Sequence, residues 1–340
     1  MSKVVAFGEL LLRLSTEEHL RFGQAKSFTA NYGGGEFNVA VSLANYGINA
    51  EFVTSVPDNE IGRCAVREVR KMDVEHNNIV YGGERLGIYF LETGAGIRGS
   101  NVVYDRAHSA MSTISKGTIN WEEVLKDATW FHWSGITPAL SESAAEACLE
   151  AVQVAKQLGL TVSCDLNYRA KLWQYGKQPY EVMPELLQFT DVVLGDIDTA
   201  YFMLGHEKVN PDYQERETLG AYYAMLFELC PNLKVAATTL RYSVSATHQR
   251  IGGILYDGYN VYSSDVREIT PVVDRVGSGD AFMGGLLYGL LEYGNDYQKT
   301  LDFAVAACCL KHTIAGDYNE VTLKEVHNIM SGLSAGLVSR

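Results

Sequence analysis

Short apolar runs and helical periods take turns along this chain, and no other feature narrows its fold as much. VVAFGE (4–9) reads as a strand. In EFNVAVSLANYG (36–47), Phe37, Ala40, Val41 and Ala44 recur at helical spacing, and Gly47 supplies a helix C-cap. EFVTSV (51–56) returns to strand, and Ile61, Ala65, Val69 and Met72 mark the next helix. TWFHWSG, a helix from about Ser141, LTVSCDLNYR, DVVLGD, a helix over about 215–229, and KVAATTL continue the series. The alternation predicts an α/β fold: a mostly parallel central sheet flanked by helices, with ligands at the carboxyl ends of its strands. No repeat, low-complexity tract or linker divides the chain, so residues 1–340 are expected to form one domain.

Two stretches break the alternation. Residues 86–107, LGIYFLETGAGIRGSNVVYDRA, hold two strand-like runs around a glycine-rich turn, with no room for a crossover helix. They predict an antiparallel appendage. YDGY (256–259) places Asp-Gly between apolar runs and predicts a hairpin.

Charge and cysteine usage narrow the partners. Acids outnumber bases 41 to 28, a net charge of -13, which argues against a nucleic-acid backbone as ligand, because that affinity comes mainly from Lys and Arg. Any anion must be held by a few local cations. The N-terminal apolar stretch is interrupted by Gly8-Glu9, lacks a cleavage pattern, and falls short of the roughly 20 residues needed to cross a bilayer. A cytoplasmic protein without a membrane partner is expected. Six scattered cysteines without CxxC spacing suit buried thiols, and the eight histidines show no HExxH.

Two glycine-rich stretches compete as anion sites. GAGIRG (94–99) matches GxGxxG but lies between strand-like runs and opens no helix, so it reads as a hairpin turn. There is no GxxxxGK[ST]. DRVGSGDAFMGGLLYGLLEYG (274–294) differs. Gly277, Ser278 and Gly279 can present successive backbone amides to an anion at the positive end of a long apolar helix. Asp280 falls in the first turn, where an acid also stabilises the helix by about 0.3–1 kcal/mol, so capping and catalysis both explain it. For phosphoryl transfer, a carboxylate of ordinary or lowered pKa would suffice to accept a hydroxyl proton late in the reaction.

DRVGSGDAFMGGL resembles the C-terminal signature of the ribokinase-like (PfkB) carbohydrate kinases, and YGGGEFNVAVSLANYG (32–47) resembles their N-terminal glycine-rich motif. The likeness runs from FGE (7–9) to about Ile314. DLNYRAKLW (165–173), IYFLE, VVYDRAHSA and LKHTIAGDYN are most similar to the 2-keto-3-deoxygluconate kinases of that family. The resemblance implies ATP and Mg2+ as cofactors and transfer to the primary C6 hydroxyl of that sugar acid. It implies Asp280 as base and Gly277, Ser278 and Gly279 as anion hole. Sugar contacts would come from Gly33, Gly34, Glu36, Asn38, Tyr89, Tyr104, Arg106, Arg169 and Asp317. Phosphate and nucleotide contacts would come from Asn167, Arg169, Thr239, Arg241, Gly277 and Gly279. Segments of about 10–33 and 84–110 would form a small β-sheet lid that also joins copies into a homo-oligomer. Arg106 and Arg169 are expected to clamp the carboxylate, since a guanidinium fork can bond both oxygens.

The sequence also departs from the family pattern. The Asn-x-x-Glu element associated with magnesium falls at Asp196 to Thr199, so the metal ligands are unassigned, with Asp196 and Asp198 as candidates to hold a metal-bound water. Arg275 replaces a small residue and Arg241 interrupts a glycine-rich pattern. Arg13 stands where neutral-sugar kinases of the family carry Asp, which favours a sugar acid. The alternatives are a fructokinase-like enzyme for a neutral ketohexose and a catalytically silent sugar-binding protein of the same fold.

Overall fold

A computed structural model describes residues 2–332 and arranges nine strands in one sheet. From one edge, Asn49–Val53, Lys3–Phe7, Trp130–Ser134, Thr161–Asp165, Val192–Leu194 and Val235–Ser245 pair in parallel. His248–Tyr256 then returns antiparallel and pairs antiparallel with both Val261–Ser263 and Arg267–Ile269. The chain leaves Lys3–Phe7 toward one neighbour and later arrives at Trp130–Ser134 on the other side. This reversal of strand order is where a doubly wound sheet opens a crevice at its carboxyl edge.

Strand periodicity divides the core into two layers. Val4 and Ala6 face Phe37, Phe282 and Phe303 on the helices Gly35–Asn45, Ser278–Glu292 and Tyr297–Lys311. Val5 and Phe7 point the opposite way, toward Phe131, Trp133 and the helix Glu142–Gln157. Fully burying each such large side chain stabilises the fold by roughly 1.5–3 kcal/mol. Ser141 begins Glu142–Gln157, its hydroxyl accepting from Ala144 N at 3.0 Å. Ser278–Glu292 lies so close to Tyr297–Lys311 that a Cβ on Gly285 would stand 2.8 Å from Ala304 Cα. The glycine lets the two helices lock, and their packing fixes where the first turn of Ser278–Glu292 points.

The appendage is a separate four-stranded sheet ordered Phe28–Gly33, Leu11–Thr16, Gly87–Glu92, Asn101–Asp105. Its outer pairs are antiparallel and its central pair is parallel. GAGIRG is the turn of this hairpin, with Ala95 and Arg98 exchanging backbone bonds of 2.9 Å. Ala246 N, from the tip of the hairpin joining Val235–Ser245 to His248–Tyr256, donates to Gly96 O at 2.8 Å, so the appendage reaches over the crevice to the main sheet. YDGY forms the predicted hairpin between His248–Tyr256 and Val261–Ser263. All six cysteines are free thiols, and no helix among the described residues is long and apolar enough to span a membrane.

Candidate active site

The carboxyl edge of the sheet and the appendage enclose a cavity of about 800 Å3. The glycine-rich stretches at 33–35 and 277–279 meet at its floor, where a Cβ on Gly35 would stand 3.6 Å from Asp280 Oδ1. Gly277 ends the preceding loop with φ 77°, a left-handed conformation that glycine adopts most readily, and a Cβ there would fall 1.6 Å from Asp317 O. Ser278–Glu292 starts immediately afterwards, so the turn presents its first amides to the cavity. A Cβ on Gly279 would meet nothing within 4 Å, which leaves room for a ligand against the backbone.

Asp280 sits on this first turn and lines the cavity. Its Oδ2 accepts from Asn38 Nδ2 at 2.7 Å, which ties the two sequence motifs together. Protein surrounds the carboxyl on every side but the cavity, and this loss of bulk water pushes its pKa up to about 6. Asn38, Arg169 and Lys311 oppose that rise, while Asp317 adds to it. The expectation of an ordinary or lowered pKa therefore fails: helix-start stabilisation is outweighed by desolvation. At neutral pH the group is still mainly a carboxylate and can take a proton from a hydroxyl.

Asp317 is buried on another wall. Tyr89 Oη donates to its Oδ2 at 2.5 Å and Arg13 Nη1 to its Oδ1 at 2.8 Å. Arg13 also donates to Asp274 Oδ2 at 2.5 Å and to Ser15 Oγ at 2.6 Å. Arg13 is thus spent on an internal network that fastens the appendage to the loop before Gly277. Gly33 lies against Asp317, where a Cβ would come within 2.6 Å of the side chain, and the cavity wall itself is made by Gly34 and Gly35.

Arg106 lines the cavity beneath Tyr104, 5.8 Å from the ring centre. Its Nε and Nη2 both bond Glu9 Oε2, at 2.7 and 2.5 Å, so one edge of its fork already holds a protein carboxylate. Arg169, at the cavity mouth, has no acidic partner among the described residues; its Nη1 donates to Tyr168 O at 3.1 Å. Asn167 adopts φ 38°, and its buried Oδ1 has no hydrogen-bond partner. That orphaned acceptor fits a bound hydroxyl or water.

Thr239, Arg241 and Arg275 form the opposite wall. Arg241 Nη2 donates to Ser278 Oγ at 2.8 Å, and neither arginine forms an ion pair among the described residues. Burial, with a smaller contribution from nearby Arg241, lowers the pKa of Arg275. In so acidic a chain, arginines without acidic partners mark an anion site.

Some sequence expectations fall elsewhere. Glu36 does not line the cavity: it is 1% exposed, its Oε1 accepts from Ser134 Oγ at 2.5 Å, and it packs against Gly8. Its place on the inner face of Gly35–Asn45 turns it away from the cavity. Asp198 accepts the amides of Val209 and Asn210 at 2.7 and 2.9 Å and also lies outside the cavity lining. Asp196 lines the cavity while capping its helix through Thr199 N at 2.8 Å. Sequence reasoning missed Gly35 and Asp165. Asp165 ends a central strand at the cavity, and burial, aided by nearby Asp280, pushes its carboxyl up to about 7. Its strand-end position was the available signal.

Comparison with known proteins places these features in context. Residues 1–322 match the model of the pfkB family carbohydrate kinases. The chain is 33% identical to a 2-dehydro-3-deoxygalactonokinase of Haloferax volcanii, with 99% of each chain covered. It is 26% identical to a probable fructokinase-2 of Arabidopsis thaliana, covering 92% of this chain and 91% of the relative. Among solved structures, a 2-dehydro-3-deoxygluconokinase of Thermotoga maritima superposes with a TM-score of 0.92 at 42% identity, covering 98% of this chain and 100% of the other.

Proposed function

The chain belongs to the pfkB family of carbohydrate kinases, and within that family we propose that it transfers the γ-phosphoryl group of ATP to the primary C6 hydroxyl of 2-keto-3-deoxygluconate. One observation carries this reading: Asp280, at a helix start facing the cavity, shares that cavity with Arg169, Arg241 and Arg275, which have no acidic partner among the described residues. Two anionic substrates need such cations. The similarity to kinases named for 2-dehydro-3-deoxy sugar acids, at higher identity than the fructokinase, supports an acid over a neutral ketohexose.

Asp280 accepts the hydroxyl proton as the phosphoryl group leaves its donor, and Asn38 holds the carboxylate in place. The turn Gly277 to Gly279 directs amides at the phosphoryl oxygens, and Ser278 is steadied by Arg241. Gly34, Tyr89, Tyr104 and Asp317 shape the sugar side, with Gly33 backing Asp317. Arg169 and the free edge of Arg106 receive the substrate carboxylate. Thr239, Arg241 and Arg275 border the nucleotide, and Asn167 the phosphates.

Among the described residues no cluster of three or more His, Cys, Asp or Glu could cage a metal. The cavity does offer Asp165, Asp196 and the orphaned Asn167 Oδ1 as oxygen acceptors, a donor set suited to Mg2+ that keeps most of its waters and substrate phosphates. Bound there, Mg2+ would neutralise phosphate charge. The half-exposed face of the four-stranded sheet, with Phe28 and Val103 open to solvent, suits pairing with a second copy. Six free thiols suit the reducing cytoplasm.

A coupled assay with ATP and Mg2+ across 2-keto-3-deoxygluconate, its C4 epimer, fructose and nucleosides tests the assignment. The highest kcat/KM is expected for a 2-keto-3-deoxy sugar acid. Preference for fructose would assign the neutral-sugar alternative, and turnover of none would mark a silent binding protein.

A further inference from the structure

Behind the anion-binding turn the chain buries an ammonium group. Lys311 ends the helix Tyr297–Lys311, is 0% exposed, and donates from Nζ to Ile314 O at 2.9 Å. No carboxylate among the described residues lies within ion-pair distance of it. Its Cε is 3.4 Å from where a Cβ on Gly277 would stand, so the side chain backs onto the turn whose other side opens to the cavity. The loop it ties through Ile314 leads to Asp317, whose carbonyl crowds Gly277 from the same side.

Space filling does not explain this choice. A Leu or Met would fill the volume without the desolvation cost of an unpaired ammonium, which runs to several kcal/mol. What the ammonium adds is charge at one place. Burial lowers its pKa and the nearby Arg13 adds to the fall, while Asp274, Asp317 and Asp280 oppose it.

Resting on the reading of the cavity as a phosphoryl-transfer site, we propose that Lys311 is a positioning residue: a built-in cation that fixes the Gly277 turn to the Ile314–Asp317 loop and favours negative charge on Asp280 and on the transferred group. Asn38, Arg169 and Lys311 favour the charged form of Asp280 and Asp317 opposes it, while the charge of Asp280 in turn raises the pKa of Asp165 and of Glu36. Removing Lys311 deletes one of two cations in that balance.

The parent enzyme, assayed first on the sugar acid, tests the functional reading by itself; comparison of variants with the parent then tests Lys311 alone. Lys311→Met is expected to fold with undiminished thermal stability, to lose about tenfold or more in kcat, and to move the acid limb of the pH–rate profile upward. Lys311→Gln, which can still donate to Ile314, should share the loss and guards against a Met variant that fails to fold. In Lys311→Ala, potassium or ammonium chloride should raise both the melting temperature and kcat above those in choline chloride at equal ionic strength, while the parent shows no such response. A Met or Gln variant with kcat within about twofold of the parent and an unmoved acid limb would overturn the proposal, as would an Ala variant indifferent to the small cations.

Discussion

Asn38 and Asp280, 242 residues apart in sequence, are joined by a 2.7 Å hydrogen bond on the cavity floor. The bond favours the charged carboxylate against the burial that raises its pKa to about 6. Asn38→Leu removes the donor and leaves the burial, so the pKa should climb further. The acid limb of kcat/KM is expected to start near pH 6 in the parent and to shift upward in the variant. A pH–rate comparison at saturating ATP checks this, and coincident limbs would separate Asn38 from the catalytic carboxylate.

Function and stability should oppose each other at Asp280. Its folded pKa of about 6 lies above the ordinary carboxylate value of 3.8, so the folded state binds the proton more tightly than the unfolded chain does. Its contribution is fully present below about pH 4 and is lost as pH rises through about 6. At pH 8 the charged form therefore destabilises the fold, by roughly 1–3 kcal/mol. Asp280→Asn should cut kcat by about a thousandfold or more yet unfold at higher denaturant than the parent at pH 8. The difference should vanish toward pH 4. Equal or lower stability at pH 8 would remove the claim that this carboxylate is held under desolvation.

Arg106 and Arg169 look interchangeable as carboxylate ligands until their partners are compared. Arg106 already neutralises Glu9, which is 2% exposed, so Arg106→Ala would strand a buried charge at a cost of about 3–5 kcal/mol. Arg169 has no such duty. Arg169→Ala should leave thermal stability nearly unchanged and raise KM for the sugar acid about tenfold, whereas Arg106→Ala should first appear as a fall in melting temperature. Calorimetry beside steady-state kinetics distinguishes them. A stable Arg106→Ala variant would mean that Glu9 finds other solvation.

Much of this layout was legible from local sequence. Strand periodicity and caps such as Ser141 are local, and so is the geometry demanded of Gly277, which is why the sheet, its helices and the glycine turn before Ser278–Glu292 could be placed. The side-chain partners could not. Glu9 with Arg106 spans 97 residues, and Arg13 with Asp317 spans 304. Nothing in the neighbourhood of either arginine tells whether its fork is free for a ligand. The rise in the pKa of Asp280 was hidden for the same reason, because desolvation depends on how distant segments close around it.

Glu36 shows how a helical face decides a role that a motif leaves open. The glycine-rich stretch puts Glu36 and Asn38 two residues apart, and two residues along a helix is more than half a turn, so both cannot face the cavity. Asn38 does; Glu36 turns inward, to Ser134 and Thr137. Burial pushes its carboxyl up to about 7, with the Ser134 bond opposing and the charge of Asp280 adding to the rise. The proton is thus held more tightly when folded, and the stability it confers is lost as pH rises through about 7. Glu36→Gln, neutral at every pH, should unfold at higher denaturant than the parent above pH 8, match it near pH 5, and keep KM for the sugar within about twofold. Denaturant melts at the two pH values, with kinetics on the same samples, check each part. A large rise in KM with an unchanged pH dependence of stability would return Glu36 to the sugar.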